Sequence, residues 1–122
     1  MLRPARLRAL LDRHGGFTLE PRSGARARHG VSVCTEPELA LRLRQWDTAW
    51  VRGWLAARAD AYGRPGRYVG GWADPLHGEL WLDVVTLLPA PSLPAALRAA
   101  GRHGQRAVFD LDRRRLVRVG AS

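Results

Sequence analysis

Tyr68-Val69-Gly70-Gly71-Trp72-Ala73, then Asp74-Pro75-Leu76-His77-Gly78, then Glu79-Leu80-Trp81-Leu82-Asp83-Val84-Val85 is the stretch on which the fold turns. Both outer runs are rich in aromatic and branched residues, and the residues between them are turn formers. The segment from Tyr68 to Leu88 therefore predicts a β-hairpin. Two glycines within a strand mark a bulge or a point where another group approaches the backbone closely. Trp72 and Trp81 fall on opposite arms, where aromatic cross-strand pairs stabilise hairpins.

Upstream of the hairpin, Thr35-Glu36-Pro37-Glu38 matches a capping box, with proline in the first turn where it removes no helical hydrogen bond. Leu39, Leu43, Trp46, Trp50, Trp54 and Ala57 follow at steps of three or four, within about 80° of one another on a helix. A long helix from that cap to Gly63 is expected to be the spine of the core. Its three tryptophans should be mostly buried, with Trp50→Ala destabilising by roughly 3–5 kcal/mol. An earlier helix is predicted from Pro4 to Arg13, stopped by Gly15-Gly16. Strands follow at Phe17-Thr18-Leu19-Glu20 and Gly30-Val31-Ser32-Val33-Cys34, with turn chemistry at Pro21-Arg22-Ser23-Gly24. Downstream, Ser92-Leu93-Pro94 opens a helix to Ala100, and Gln105–Asp112 with Leu116–Val119 forms a closing hairpin. The order α-β-β-α-β-β-α-β-β predicts one α+β domain over residues 1–122, a mostly antiparallel sheet covered by helices on one face.

The bulk numbers agree. The chain has 122 residues, 46% hydrophobic and 25% charged, in the range of an ordinary globular domain. No apolar run reaches the roughly 18–20 residues of a membrane span, and the N-terminus lacks the apolar stretch of a signal peptide, so a cytoplasmic address is expected. The single cysteine, Cys34, excludes an intrachain disulfide. All 20 basic side chains are arginine, and lysine, asparagine and isoleucine are absent. The residues missing have AT-rich codons, which points to a bacterial genome of high GC content. The formal charge of +9 thus has two readings: selection for an anionic partner such as a phosphate backbone, or the imprint of codon usage.

Gly16-Phe17-Thr18-Leu19-Glu20-Pro21-Arg22-Ser23-Gly24, Gly30-Val31-Ser32-Val33, Val69-Gly70-Gly71-Trp72-Ala73-Asp74 with Leu82-Asp83-Val84, and Gly104-Gln105-Arg106-Ala107-Val108-Phe109-Asp110-Leu111 are the most distinctive patches. Together they resemble a group of uncharacterised small proteins and modules of actinobacterial genomes, phages and other mobile elements. The resemblance implies a recurrent fold and a mobile-element context, and supplies no residue roles.

Two sets of residues carry candidate chemistry. Arg26 and Arg28, in the loop after the first turn, and Arg113, Arg114, Arg115 and Arg118, the one dense basic cluster, are candidate contacts for nucleic acid or an acidic protein. In the hairpin, His77, Glu79 and Asp83 are candidate catalytic residues. Glu79 and Asp83 point to one face of an extended strand, and Arg67, Tyr68 and Arg102 or Arg106 could lend positive charge. A base, an acid and an arginine that stabilises a phosphorane suffice for a metal-independent ribonuclease. The histidines, His14, His29, His77 and His103, have no metal-site spacing, so no metal or cofactor is expected. His14 and His103 suit helix C-termini. Gln105 and Asp110 bracket a strand and could clamp a neighbouring loop. The leading expectation is a non-enzymatic accessory or interaction module binding nucleic acid or an acidic protein. The alternatives are a small ribonuclease or toxin of the barnase or RelE-like type, and a subunit of a larger assembly.

Overall fold

The computed structural model describes residues 2–89, 93–105 and 107–119. Their elements are α1 Pro4–His14, β1 Gly16–Leu19, β2 Val31–Val33, a 3-10 turn at Pro37–Leu39, β3 Leu41–Leu43, α2 Thr48–Ala57, α3 Ala59–Tyr62, β4 Arg67–Asp74, β5 Glu79–Leu88, α4 Leu93–Arg102, β6 Ala107–Asp110 and β7 Arg115–Arg118. Ser92 and Arg106, which the sequence places at a helix start and within the strand Gln105–Asp112, lie outside the described residues. The result is a single α+β domain, and no described helix is long and apolar enough to cross a membrane.

The hairpin is the frame. β4 pairs with β5 from Arg67 opposite Thr86 to Asp74 opposite Glu79 without a slip. The glycine pair is therefore not a bulge but a close approach. A Cβ on Gly70 would meet the Asp83 Oδ1 at 2.6 Å, and one on Gly71 would enter the Phe17 ring. Trp72 and Trp81 face each other across the ladder. β5 is long enough to carry two partners on its other edge: β3 along Leu80–Leu82 and β2 along Thr86–Leu88. The antiparallel sheet runs β1-β4-β5-β2-β6-β7, with β3 beside β5.

Register assigns the two faces. Leu19 lies opposite Val69, Val69 opposite Val84, and Val31 opposite Leu88, so these residues share one side. On that side α1 and α2 cover Phe17, Leu19, Val69, Leu82 and Val84 with Leu7, Leu11, Val51, Trp54 and Leu55. The small residues Ala96 and Ala100 let α4 settle onto Val31, Val33 and Val108. The other side carries Thr18, Gly70 and Asp83 in one row, with Trp72, Val85, Ser32, Phe109 and Leu116 around it. It is curled enough for its two ends to enclose a cavity.

The long Trp-striped helix is corrected. The run after Thr35 makes one 3-10 turn and then a strand, and the helix begins only at Thr48, where the Asp47 carboxylate accepts from the Trp50 amide at 3.1 Å. Pairing with Leu80–Leu82 satisfies the backbone of Leu41–Leu43 and sends Leu41 and Leu43 to the core by strand alternation, so tertiary pairing overrides helical propensity. The stripe breaks up as a result. Trp54 is buried and its indole N–H donates to the Leu39 carbonyl at 2.6 Å, Trp46 is half-buried, and Trp50 is 65% exposed. The expected large cost of Trp50→Ala falls with it.

Candidate functional site

The basic site is assembled by hydrogen bonds between two distant segments. After β1, Glu20 folds the chain back, its carboxylate accepting from the Arg22 and Ser23 amides and the Ser23 hydroxyl. The returning strand lies against β1, with the Ala27 amide donating to the Thr18 carbonyl at 2.8 Å and Arg26 bridged to Leu19. The turn between β6 and β7 then fastens to this loop. Asp112 accepts from the Gly30 amide at 2.8 Å and pairs with His29 Nδ1 at 2.9 Å, and the Leu111 amide donates to the Gly30 carbonyl. The Gly30 amide and His29 together hold the Asp112 carboxyl below its usual pKa.

That junction brings Arg26 and Arg28 from the loop, Arg114 from the turn and His14 from the end of α1 around one pocket of about 140 Å³, floored by Gly16, Phe17, Thr18, Phe109 and Leu111. No carboxylate is among the residues that line it. Partial desolvation and the charges of Arg26, Arg13 and Arg114 push His14 below its ordinary pKa. Arg114 has φ 52°, the left-handed region that disfavours any residue with a Cβ.

The other arginines of the dense cluster are placed differently. Arg113 pairs with the buried Asp110 at 3.2 Å, and the same carboxylate accepts from the Arg113 amide. This pair closes the β6–β7 turn, so the clamp foreseen for Asp110 is made within its own turn. Among the described residues, Gln105 Nε2 donates to the His103 carbonyl at 3.4 Å. Arg115 and Arg118 are exposed on the edge strand β7, where charge discourages a further strand from pairing.

Phe17, Thr18 and Phe109 are shared between the basic pocket and a second cavity of about 60 Å³ on the open side of the sheet. Its wall includes Thr18, Ser32, Cys34, Gly70, Trp72 and Asp83. Asp83 lies deep over Gly70, and burial lifts its carboxyl to about 6, against a smaller opposing effect of the hydrogen bond with Cys34. Burial and the nearby Asp83 charge push the Cys34 thiol up to about 12.

The three residues selected as catalytic are thereby divided. Glu79 and Asp83 do share a face, but they lie four positions apart, about 13 Å along a strand. His77 and Glu79 gather instead with Asp74 at the hairpin end, their donor atoms within 4.8 Å of one another. His77 Nδ1 lies 2.8 Å from Asp74 Oδ2, and Arg42 is 3.3 Å from Glu79. Burial opposes ionisation of Asp74, but the hydrogen bonds from His77 and the Leu76 amide overcome it and hold the carboxyl low. The spacing is compatible with one divalent cation, although His77 and Arg42 already contact the two carboxylates. Histidine spacing alone had given no hint of this group; the signal was an aspartate three residues before a histidine in a turn. Arg67 serves elsewhere, donating to Thr86 at 2.5 Å and lying 3.7 Å from Glu36. Compared with protein-family models, curated proteins and solved structures, the chain matches none.

Proposed function

We propose that this protein is a non-enzymatic nucleic-acid-binding module whose phosphate contacts are Arg26, Arg28 and Arg114, with His14 beside them. The observation that carries the reading is the convergence of these arginines, from segments joined through Asp112, on a single pocket lined by no carboxylate. Guanidinium groups fit phosphate oxygens in bidentate fashion, and a codon-driven scatter of arginines does not require them to meet. The φ of Arg114 adds to this: a left-handed turn position favours glycine, and a strained side chain retained there suggests a use for it.

Anisotropy of a labelled single-stranded oligonucleotide tests the reading. Arg26→Gln, Arg28→Gln and Arg114→Gln combined should weaken binding about tenfold or more, while changing Arg113, Arg115 and Arg118 leaves most of the affinity. Nucleic acid should also raise the pKa of His14, read by NMR, because a phosphate among Arg26 and Arg114 offsets their charge. If an acidic polypeptide binds the same arginines and nucleic acid does not, the partner is a protein and the proposal fails.

A second reading, a small metal-independent ribonuclease, draws on the Asp74–His77 pair beside Glu79 and Arg42. RNA cleavage in the presence of a chelator, abolished by His77→Ala, would establish it. Uncleaved RNA would remove it.

A further inference from the structure

The outward face of α2 is apolar. A helix packed on a core turns its charged and polar residues to water, yet among the α2 residues open to solvent only Arg52 is charged, and Trp50 is 65% exposed. Ala49, Gly53 and Ala57, about a turn apart on that face, form with Ala40 and Trp50 an open groove of about 440 Å³. Packing does not require the glycine. A Cβ on Gly53 would meet nothing within 4 Å, and glycine inside a helix is destabilising relative to alanine. Its missing side chain keeps the groove open. Arg58 stands at the C-terminal end of α2, where its Nε is buried without a hydrogen-bond partner among the described residues. No carboxylate is among the residues that line the groove.

We propose that this face docks a short acidic amphipathic helix of another protein, with a bulky apolar side chain against Trp50 and over Gly53, and a carboxylate on Arg58. Helix-in-groove recognition uses apolar anchors at steps of three and four, and tryptophan and arginine are the residues that most often dominate interface energies. A carboxylate that meets the guanidinium edge-on supplies the acceptor that the Arg58 Nε lacks. A second copy of this chain is a poorer occupant on two counts. Its charge of +9 repels a face edged by arginine. The 10 residues of α2 also span only about 15 Å, too little for the roughly 800 Å² per partner of a stable dimer. The groove shares no residue with the arginine pocket, so the inference stands apart from the nucleic-acid reading.

A display library of random helix-length peptides, selected on the wild-type protein and counter-selected on Trp50→Ala, tests the proposal. The survivors should combine Asp or Glu with bulky apolar residues three or four positions apart. The best of them, synthesised and labelled, should bind Trp50→Ala about tenfold or more weakly. Gly53→Leu fills the groove with a better helix former, so it should lose binding to a similar extent while its urea midpoint equals or exceeds that of wild type. Arg58→Gln, checked by circular dichroism, should erase the preference for this peptide over a version with glutamine in place of each acid. Replacing Arg26, Arg28 and Arg114 by glutamine should leave the affinity unchanged, which separates docking on α2 from general attraction to a basic protein. No survivor of the counter-selection, survivors without acidic residues, or full binding by Gly53→Leu or Arg58→Gln overturns the proposal. A loss of affinity in the arginine triple variant equal to that in Trp50→Ala does the same. So does a wild-type dimer in sedimentation that Trp50→Ala dissociates, because it assigns the face to a second copy.

Discussion

Replacing Asp83 with asparagine should make the protein more stable above neutral pH, and the gain should vanish in acid. The wild-type carboxyl is raised from 3.8 to about 6 because burial opposes its charged form. A group that holds its proton more tightly when folded stabilises the fold while protonated. That contribution is complete below about pH 3.8 and is lost as the pH rises through about 6. Each pKa unit corresponds to about 1.4 kcal/mol, so the full effect is on the order of 3 kcal/mol. This is an upper bound, since Asp83 keeps some accessible surface where it lines the cavity. Asparagine keeps the shape and an acceptor for the Cys34 thiol without the charge. Urea unfolding followed by tryptophan fluorescence from pH 4 to pH 8 measures the difference between the two proteins. The stability of Asp83→Asn relative to wild type should rise by roughly 2–3 kcal/mol across that range. Groups such as Asp74 and Asp112, whose pKa values are lowered and whose contributions fade in acid, cancel in the comparison. A difference that stays flat with pH would refute the placement of Asp83 as a deep, poorly solvated carboxyl.

Three further outcomes are expected. Cys34, with its thiol raised to about 12, should resist a thiol-specific reagent near pH 8 in the folded protein and react promptly in denaturant; rapid modification of the native form would contradict the cavity. Arg114→Gly should hold or raise stability by about 0.5–1 kcal/mol in urea, because it relieves a left-handed residue, and yet weaken oligonucleotide binding. Trp54→Ala should destabilise by about 3–5 kcal/mol, whereas Trp50→Ala, at a largely exposed position, should change stability by less than about 1 kcal/mol, both read from urea midpoints.

The hairpin was legible because period-two patterning, turn residues and the Trp72–Trp81 pair all agree, and β4 and β5 obey them. The segment from Leu39 to Leu43 was not, because its leucines satisfy both periods: Leu39 and Leu43 are helical neighbours, while Leu41 and Leu43 alternate as in a strand. Only the free edge of β5 decides between them, and that edge is a tertiary fact. The true start of α2 was written in Asp47, an ordinary N-cap, but the capping box at Thr35 offered an earlier one. For the site, strand alternation correctly put Glu79 and Asp83 on one face, yet it carries no information on what each meets along the strand. Arg26, Arg28 and Arg114 were visible as charges. Their convergence depends on Asp112 reaching Gly30 across 82 residues of chain, which no local pattern records.

The salt dependence of oligonucleotide binding tests the central claim most directly. One phosphate held among the three arginines on a single strand predicts a log–log slope of about −0.7, the contribution of each neutralised phosphate. Combined replacement of Arg26, Arg28 and Arg114 by glutamine should bring that slope close to zero, while glutamine at Arg113, Arg115 and Arg118 should leave it nearly intact. Absence of binding by the wild-type protein at about 50 mM salt, or a slope that the first triple variant does not change, would contradict the account and leave the arginines as the mark of a GC-rich genome.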